Sequence, residues 1–370
     1  MIRTDVAVVG AGLSGLYAAA LLNRAGRSCV VLEARDRIGG RILSVPAGKP
    51  GGDARYDLGP AWFWPDMQPR MRSLVDELGL TAFPQETDGG MVMERSRSGP
   101  PQRYARGFNT EPRSMRLIGG MQTLVDAIVR RMPAVSIHRG VQVTEIHHGA
   151  SGPIRIDGVR IDAVSDSEPL TVMADTVILA LPPRLIAETI AFYPALPDGL
   201  RSELAAVPTW MAGHAKVMAV YDRAFWREQG LSGTASSFVG PLMEIHDASA
   251  PDGRPALFGF AGFPAAARKA MGPEQLTQMT LAQLVRLFGP DGARPAAVFV
   301  ADWAEDPHTA TAADGQPPAS HPDYGPPSSG IAAGDGRLIL AGTEVAAEFG
   351  GYLEGALAAA VDAAERVLAR

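Results

Sequence analysis

The chain holds one cysteine, Cys29, in 370 residues. A single thiol excludes an internal disulfide framework and any multi-cysteine metal site, so no resident metal is expected and the usage suits a reducing compartment, here read as the cytoplasm. Lysine and arginine form no blocks, and the formal net charge is -6, which argues against nucleic acid or an anionic membrane surface as the main partner. Long apolar runs are lacking too: VILAL before Pro182 is far too short to span a bilayer. The apolar N-terminal stretch reaching Leu22 is interrupted by Asp5 and three glycines and has no small-residue cleavage site, so it is not read as a secretion signal. No membrane tail is expected after the alanine-rich segment that ends at Arg370. A small molecule becomes the expected partner. With 46% hydrophobic residues the chain can bury a sizeable core, and its length suits two domains or one domain with a large insertion.

The N-terminal DVAVVGAGLSGLYAAALLNRAGRSCVVLEARDRIGGR reads as strand, glycine turn, helix and second strand, a βαβ unit. Asp5 to Val9 form the first strand, Leu16 to Ala25 the helix, stopped by Gly26, and Cys29 to Leu32 the second strand. Each glycine of the G-x-G-x-x-G turn has its own reason: Gly10 for the tight turn, Gly12 for the approach of a pyrophosphate, Gly15 for close packing of helix on strand. The helix N-terminus turns free N–H groups and partial positive charge toward the phosphates. Glu33, about twenty residues beyond the glycines, is placed to accept hydrogen bonds from an adenosine ribose and would repel a 2′-phosphate. A dinucleotide site of the Rossmann-like α/β class follows.

Elsewhere, AGHAKVMAVYDRAFW (212–226) reads as a strand in which His214, Lys216, Met218 and Val220 share one face and Ala215, Val217, Ala219 and Tyr221 the other. A lysine on such a face ordinarily snorkels to water along its apolar stem, and His214 beside it reads as a satisfied core or rim histidine. RLIGGMQTLVDAIVRRM (116–132) is a glycine turn opening an amphipathic helix; VSIHRGVQVTEI, GVRIDAV and DTVILALPP are strands. A further helix is expected from Pro273 to Phe288, and the Pro/Gly/Ser-rich run 314–330 is loop.

The second glycine turn RIGGR (37–41), the turn YDLGPAWFWP (56–65) and the C-terminal LILAGTEVAAEFGGYLEGALAAAVDAAERVL make the dinucleotide assignment specific, because together they resemble the flavin-dependent amine oxidase family. The resemblance implies noncovalent FAD, an FAD domain assembled from 1–80, 115–190 and 303–370, and an α+β substrate domain from 81–114 and 191–302. It places the cofactor against Gly10, Gly12, Ser14, Gly15, Glu33, Ala34, Arg35, Gly39, Gly40 and Arg41 of the first segment, and Gly59, Pro60, Ala61 and Trp62 of the third turn. Val141 would meet the adenine end through its backbone, and Gly342, Thr343, Glu344, Gly351, Tyr352 and Leu353 close the set. Gly350 and Gly351 also free a helix N-terminus for close approach. Lys216, followed by Phe225 and Trp226, matches the family's water-holding lysine near flavin N5; Trp303 keeps the family's tryptophan, and Tyr352 stands where an aromatic wall faces the amine.

The chain also departs from the family. No cysteine follows Trp303, which excludes covalent attachment by the monoamine oxidase route, and Ala312 and Ala313 stand near the place of the second aromatic wall. The resemblance implies an FAD-dependent oxidase of an amine C–N bond that passes hydride to flavin N5, yields an imine and reduces oxygen to hydrogen peroxide. A flavin desaturase, dehydrogenase or isomerase on a non-amine substrate, and a flavoprotein that binds FAD without turnover, remain open alternatives. Small residues at one wall, a short interval between Leu80 and Leu117, and AWFWP with Trp210 imply an open cavity for bulky substrates.

Overall fold

The structure, a computed structural model, describes residues 1–46, 54–105, 112–149, 152–160, 169–251, 253–316, 318–328, 330, 332–333 and 335–370. It is built on two sheets. Strand β1 (Ile2–Val9) runs parallel to β2 (Cys29–Glu33) on one side and to the long strand Pro169–Leu179 on the other. Ser136–Arg139 extends this parallel set beyond β2, and Leu338–Leu340 extends it beyond the upper half of Pro169–Leu179. Every residue of β2, CVVLE, is buried, as expected of a parallel strand covered on both faces. Helix α1 (Leu13–Arg24) links β1 to β2 and packs on the C-terminal helix Leu353–Leu368. The lower half of Pro169–Leu179 pairs antiparallel with Ile154–Arg160, which pairs with Val141–His147. Residues 161–164 of the expected strand GVRIDAV, and residues 317 and 329 of the proline-rich run, lie outside the described residues.

The second sheet is ordered Ala297–Asp302, Ala215–Val220, Ala256–Ala261, Leu242–Asp247, Leu231–Ser237, Gly90–Glu94 and Gln102–Tyr104, antiparallel except between Leu231–Ser237 and Gly90–Glu94. The alternation expected around Lys216 sets its two faces. Ala215, Val217, Ala219 and Tyr221 pack with Leu276, Leu284 and Phe288 of the helix Ala265–Phe288, whereas Met218 and Val220 pack with Tyr56, Leu58 and Phe258 toward the first sheet. Phe225 and Trp226 belong to the helix-side core. That helix begins before the expected Pro273, with a break at Gly272, whose φ of 76° lets Pro273 open the second half.

The two-unit division is kept as a proposal with one shift of boundary. Ala191–Tyr193 pairs with Val141–His147, and Leu196, Leu200 and Leu204 join the core of the first sheet, so residues 191–206 sit with the nucleotide unit. Apolar side chains on a short strand and on the amphipathic helix Asp198–Ala206 find the nearest uncovered face regardless of their place in the chain.

Candidate active site

The loops at the carboxyl ends of β1 and β2 open a long cavity that continues to the second sheet. At its first end the glycines of the β1–α1 turn divide their work as their surroundings dictate. A Cβ on Gly10, which has φ 103°, would lie 2.6 Å from the Ala180 carbonyl oxygen, and one on Gly15 would lie 2.0 Å from that of Gly10. A Cβ on Gly12 would meet only Gly40 Cα, at 4.0 Å. Gly12 therefore faces open space. It is the N-cap of α1 and supplies no side-chain cap, so the first N–H groups of the helix are left for an anion. The helix Leu353–Leu368 begins at the same cavity behind Tyr352, also without a side-chain cap.

Glu33 is buried beside the turn, and its two carboxylate oxygens accept hydrogen bonds from the Ala11 and Arg35 N–H groups at 2.8 and 2.9 Å. Arg35 makes a forked pair with Asp306 and donates to Thr309 Oγ1 at 2.7 Å, which draws Pro307, His308 and Thr309 onto the cavity wall. Arg41 donates to both oxygens of the fully buried Glu344, at 2.5 and 3.1 Å, and to the Trp210 carbonyl at 3.2 Å. The Ser14 hydroxyl donates to the Ala341 carbonyl. Ser14, Ala34, Gly39, Gly40, Gly59, Pro60, Ala61, Trp62, Val141, Gly342, Thr343, Gly351 and Leu353 all line the cavity. Gly15 and Glu344 do not: the first lies within α1 on the side that faces Val8 and Ala180, and the second is paired with Arg41.

At the other end Lys216 is buried, with Nζ donating to the Asp57 and Gly59 carbonyls, each at 2.9 Å, and lying 4.1 Å from the centre of the Phe258 ring. Trp303 Nε1 donates to the carbonyl between them, that of Leu58, at 3.2 Å. Three successive carbonyls of the YDLGP turn are thus read by two side chains from the second sheet and its edge. Burial pushes the Lys216 ammonium down to about 7, helped by Arg116 and opposed by Asp57, whose own carboxyl is raised by burial. Tyr352 lies edge-on to Trp64 with ring centres 6.3 Å apart and is stacked on His321 at 5.1 Å. Four of the five tryptophans, Trp62, Trp64, Trp210 and Trp303, line this end with Phe260 and Tyr352.

The model of the family described as flavin containing amine oxidoreductase matches residues 105–368, and that of the NAD(P)-binding Rossmann-like domain matches 8–78. The chain belongs to the flavin containing amine oxidoreductase family. A probable flavin-containing monoamine oxidase A of Dictyostelium discoideum is 24% identical over 95% of each chain, and the putrescine oxidase of Kocuria rosea is 26% identical over 83% of this chain and 84% of its own. Wild-type putrescine oxidase bound to putrescine shares the fold, with a TM-score of 0.77 over the whole of both chains at 24% identity.

A flavin-containing oxidoreductase carries FAD, and the residues present fit one: an uncapped helix start with an open glycine at one end, a second uncapped start at the other, and Glu33 between β2 and the turn. Cys29 is buried at the far end of β2 and lies off the cavity, so no cysteine thioether to the cofactor can form. Ala312 and Ala313, expected at an open cage wall, are exposed in a turn outside the cavity, because Asp314 is drawn inward to Arg184 and the Thr209 N–H. Gln68, Met211, His214 and the 307–309 segment line the cavity without having been foreseen as site residues. Of these only His214, a polar side chain in the apolar run MAGHA that leads into the strand of Lys216, carries a signal in the sequence. Glu145, His147 and Asp157 form a half-buried group with metal-ligand atoms close together, but Arg155 already contacts both His147 and Asp157. No described helix is long and apolar enough to cross a membrane.

Proposed function

We propose that the chain oxidises the carbon–nitrogen bond of a bulky, apolar amine, with oxygen as the electron acceptor. When bound, FAD supplies the chemistry by accepting a hydride from the carbon that bears the neutral amine nitrogen and returning both electrons to oxygen as hydrogen peroxide. The resulting imine loses its nitrogen by hydrolysis in water. The protein's part is to hold, orient and desolvate. Glu33, the α1 N-terminus, and the Arg41–Glu344 pair would position the nucleotide, while Trp62, Trp64, Trp210 and Tyr352 provide the apolar wall for the substrate.

The observation that carries this reading is Lys216. An ammonium has three donors, and the carbonyls of Asp57 and Gly59 take two. The third is available to hold a water at the cavity, and a proton affinity brought down to about 7 lets the group both give and take a proton near neutrality.

The test is peroxide release from a series of primary and secondary amines, from methylamine through arylalkyl to polycyclic amines, compared by kcat/KM. The expected order rises to the arylalkyl members. Preference for the smallest amines would contradict the bulky-substrate reading, and no turnover across the series would favour a desaturase or other non-amine reaction.

A further inference from the structure

His214 ends the turn that leads into the strand of Lys216, on the same side of that strand, and lines the cavity together with Lys216 and with Trp210, whose ring centre lies 6.5 Å from its own. Its Nδ1 is sealed from solvent and has no hydrogen-bond partner among the described residues. An imidazolium needs an acceptor at both nitrogens, so the sealed Nδ1 opposes the cation. Arg268, which pairs with Asp302 and donates to the Gly213 carbonyl, acts the same way. Burial first and Arg268 second hold the ring below the usual histidine range. The ring is neutral at neutral pH. A hydrogen on the sealed Nδ1 would have no acceptor, whereas Nε2 is not among the sealed, partnerless atoms and can make a bond with a group in the cavity, which favours the hydrogen on Nε2.

We propose that His214 is a substrate-contacting residue whose Nε2–H donates a hydrogen bond to the lone pair of the free amine. This rests on the amine reading above and adds to it a group that distinguishes the two protonation states of the substrate. A free amine has a lone pair to receive the bond; an ammonium has none and would also meet Lys216. The bond must be released as the lone pair moves to carbon during hydride loss, so it strengthens binding of the ground state and does not accelerate the chemistry.

The test uses the FAD-loaded protein and two probes that cannot be oxidised at a C–N bond: cumylamine, which has no hydrogen on the carbon beside nitrogen, and isopropylbenzene, which has no nitrogen. Dissociation constants are measured by calorimetric titration, and the limiting rate of anaerobic flavin reduction is measured with an oxidisable arylalkyl amine. His214→Leu should weaken cumylamine about fivefold, the worth of one neutral hydrogen bond, leave isopropylbenzene unchanged and not lower the limiting reduction rate. His214→Gln, whose amide N–H reaches about as far as Nε2, should restore the affinity. An unchanged cumylamine affinity in His214→Leu, with the parental protein oxidising amines, overturns the role of His214 and leaves the oxidase reading standing. Equal weakening of both probes marks a structural role and overturns it as well. A parental holoprotein that binds no cumylamine and oxidises no amine overturns both.

Discussion

At Lys216 burial and two backbone carbonyls act on the same ammonium in opposite senses. Burial dominates and lowers its proton affinity from 10.5 to about 7. The sign for stability follows directly: between about pH 7 and 10.5 the unfolded chain binds the lysine proton and the folded chain does not, so this group's contribution rises with pH and is lost as pH falls through about 7. Lys216→Met is expected to keep FAD and to gain in melting temperature relative to the parent near pH 7, the gain shrinking as pH is raised toward 10. In rapid mixing its flavin should reoxidise in oxygen slower by roughly tenfold or more. Parental reoxidation and reduction rates would return Lys216 to the role of a buried lysine that merely braces the YDLGP turn. Glu33 gives a second residue-level expectation. A glutamine there keeps one acceptor and turns an NH₂ toward a backbone N–H, so Glu33→Gln should weaken FAD about tenfold with an unchanged flavin spectrum, read by ultrafiltration and absorbance.

Among the elements, the β1–α1 turn separates folding from binding at neighbouring glycines. Gly15→Ala would force a Cβ to 2.0 Å from a backbone oxygen, so the variant should fail to accumulate as folded protein. Gly12→Ala meets only open space; it should fold with the parental circular dichroism and lose FAD, because the methyl enters the volume a pyrophosphate needs. An FAD-replete Gly12→Ala protein would contradict the placement. This turn was legible in the sequence because each glycine has a local steric reason and Glu33 lies at a fixed distance along the same βαβ unit. The alternation around Lys216 was legible for the same kind of reason, since a strand's period assigns faces without knowledge of its neighbours. The 307–309 wall was not legible: it reaches the cavity only because Arg35, far away in sequence, pairs with Asp306. Gln68 was hidden likewise, its Oε1 accepting the Trp64 N–H to close the turn before the helix Pro69–Glu77 while the side chain lines the cavity. Ala312 and Ala313 misled, because position along a motif says nothing about which side of a turn faces in.

At the scale of the molecule, the parallel sheet supplies the nucleotide end of the cavity and the antiparallel sheet supplies Lys216 and Phe260, with Trp303 at its edge. The carbonyls of Asp57, Leu58 and Gly59 join the two. That seam would place the reacting carbon of the substrate and the flavin between groups from both sheets, a position that neither sheet can supply by itself. The central claim, FAD-dependent oxidation of an amine at this seam, is tested most directly by mixing the purified yellow protein with an arylalkyl amine without oxygen and then admitting oxygen. The flavin absorbance should bleach as the amine is consumed, and return with hydrogen peroxide formed equimolar to the amine oxidised. A flavin that dithionite bleaches but no amine does would contradict the account.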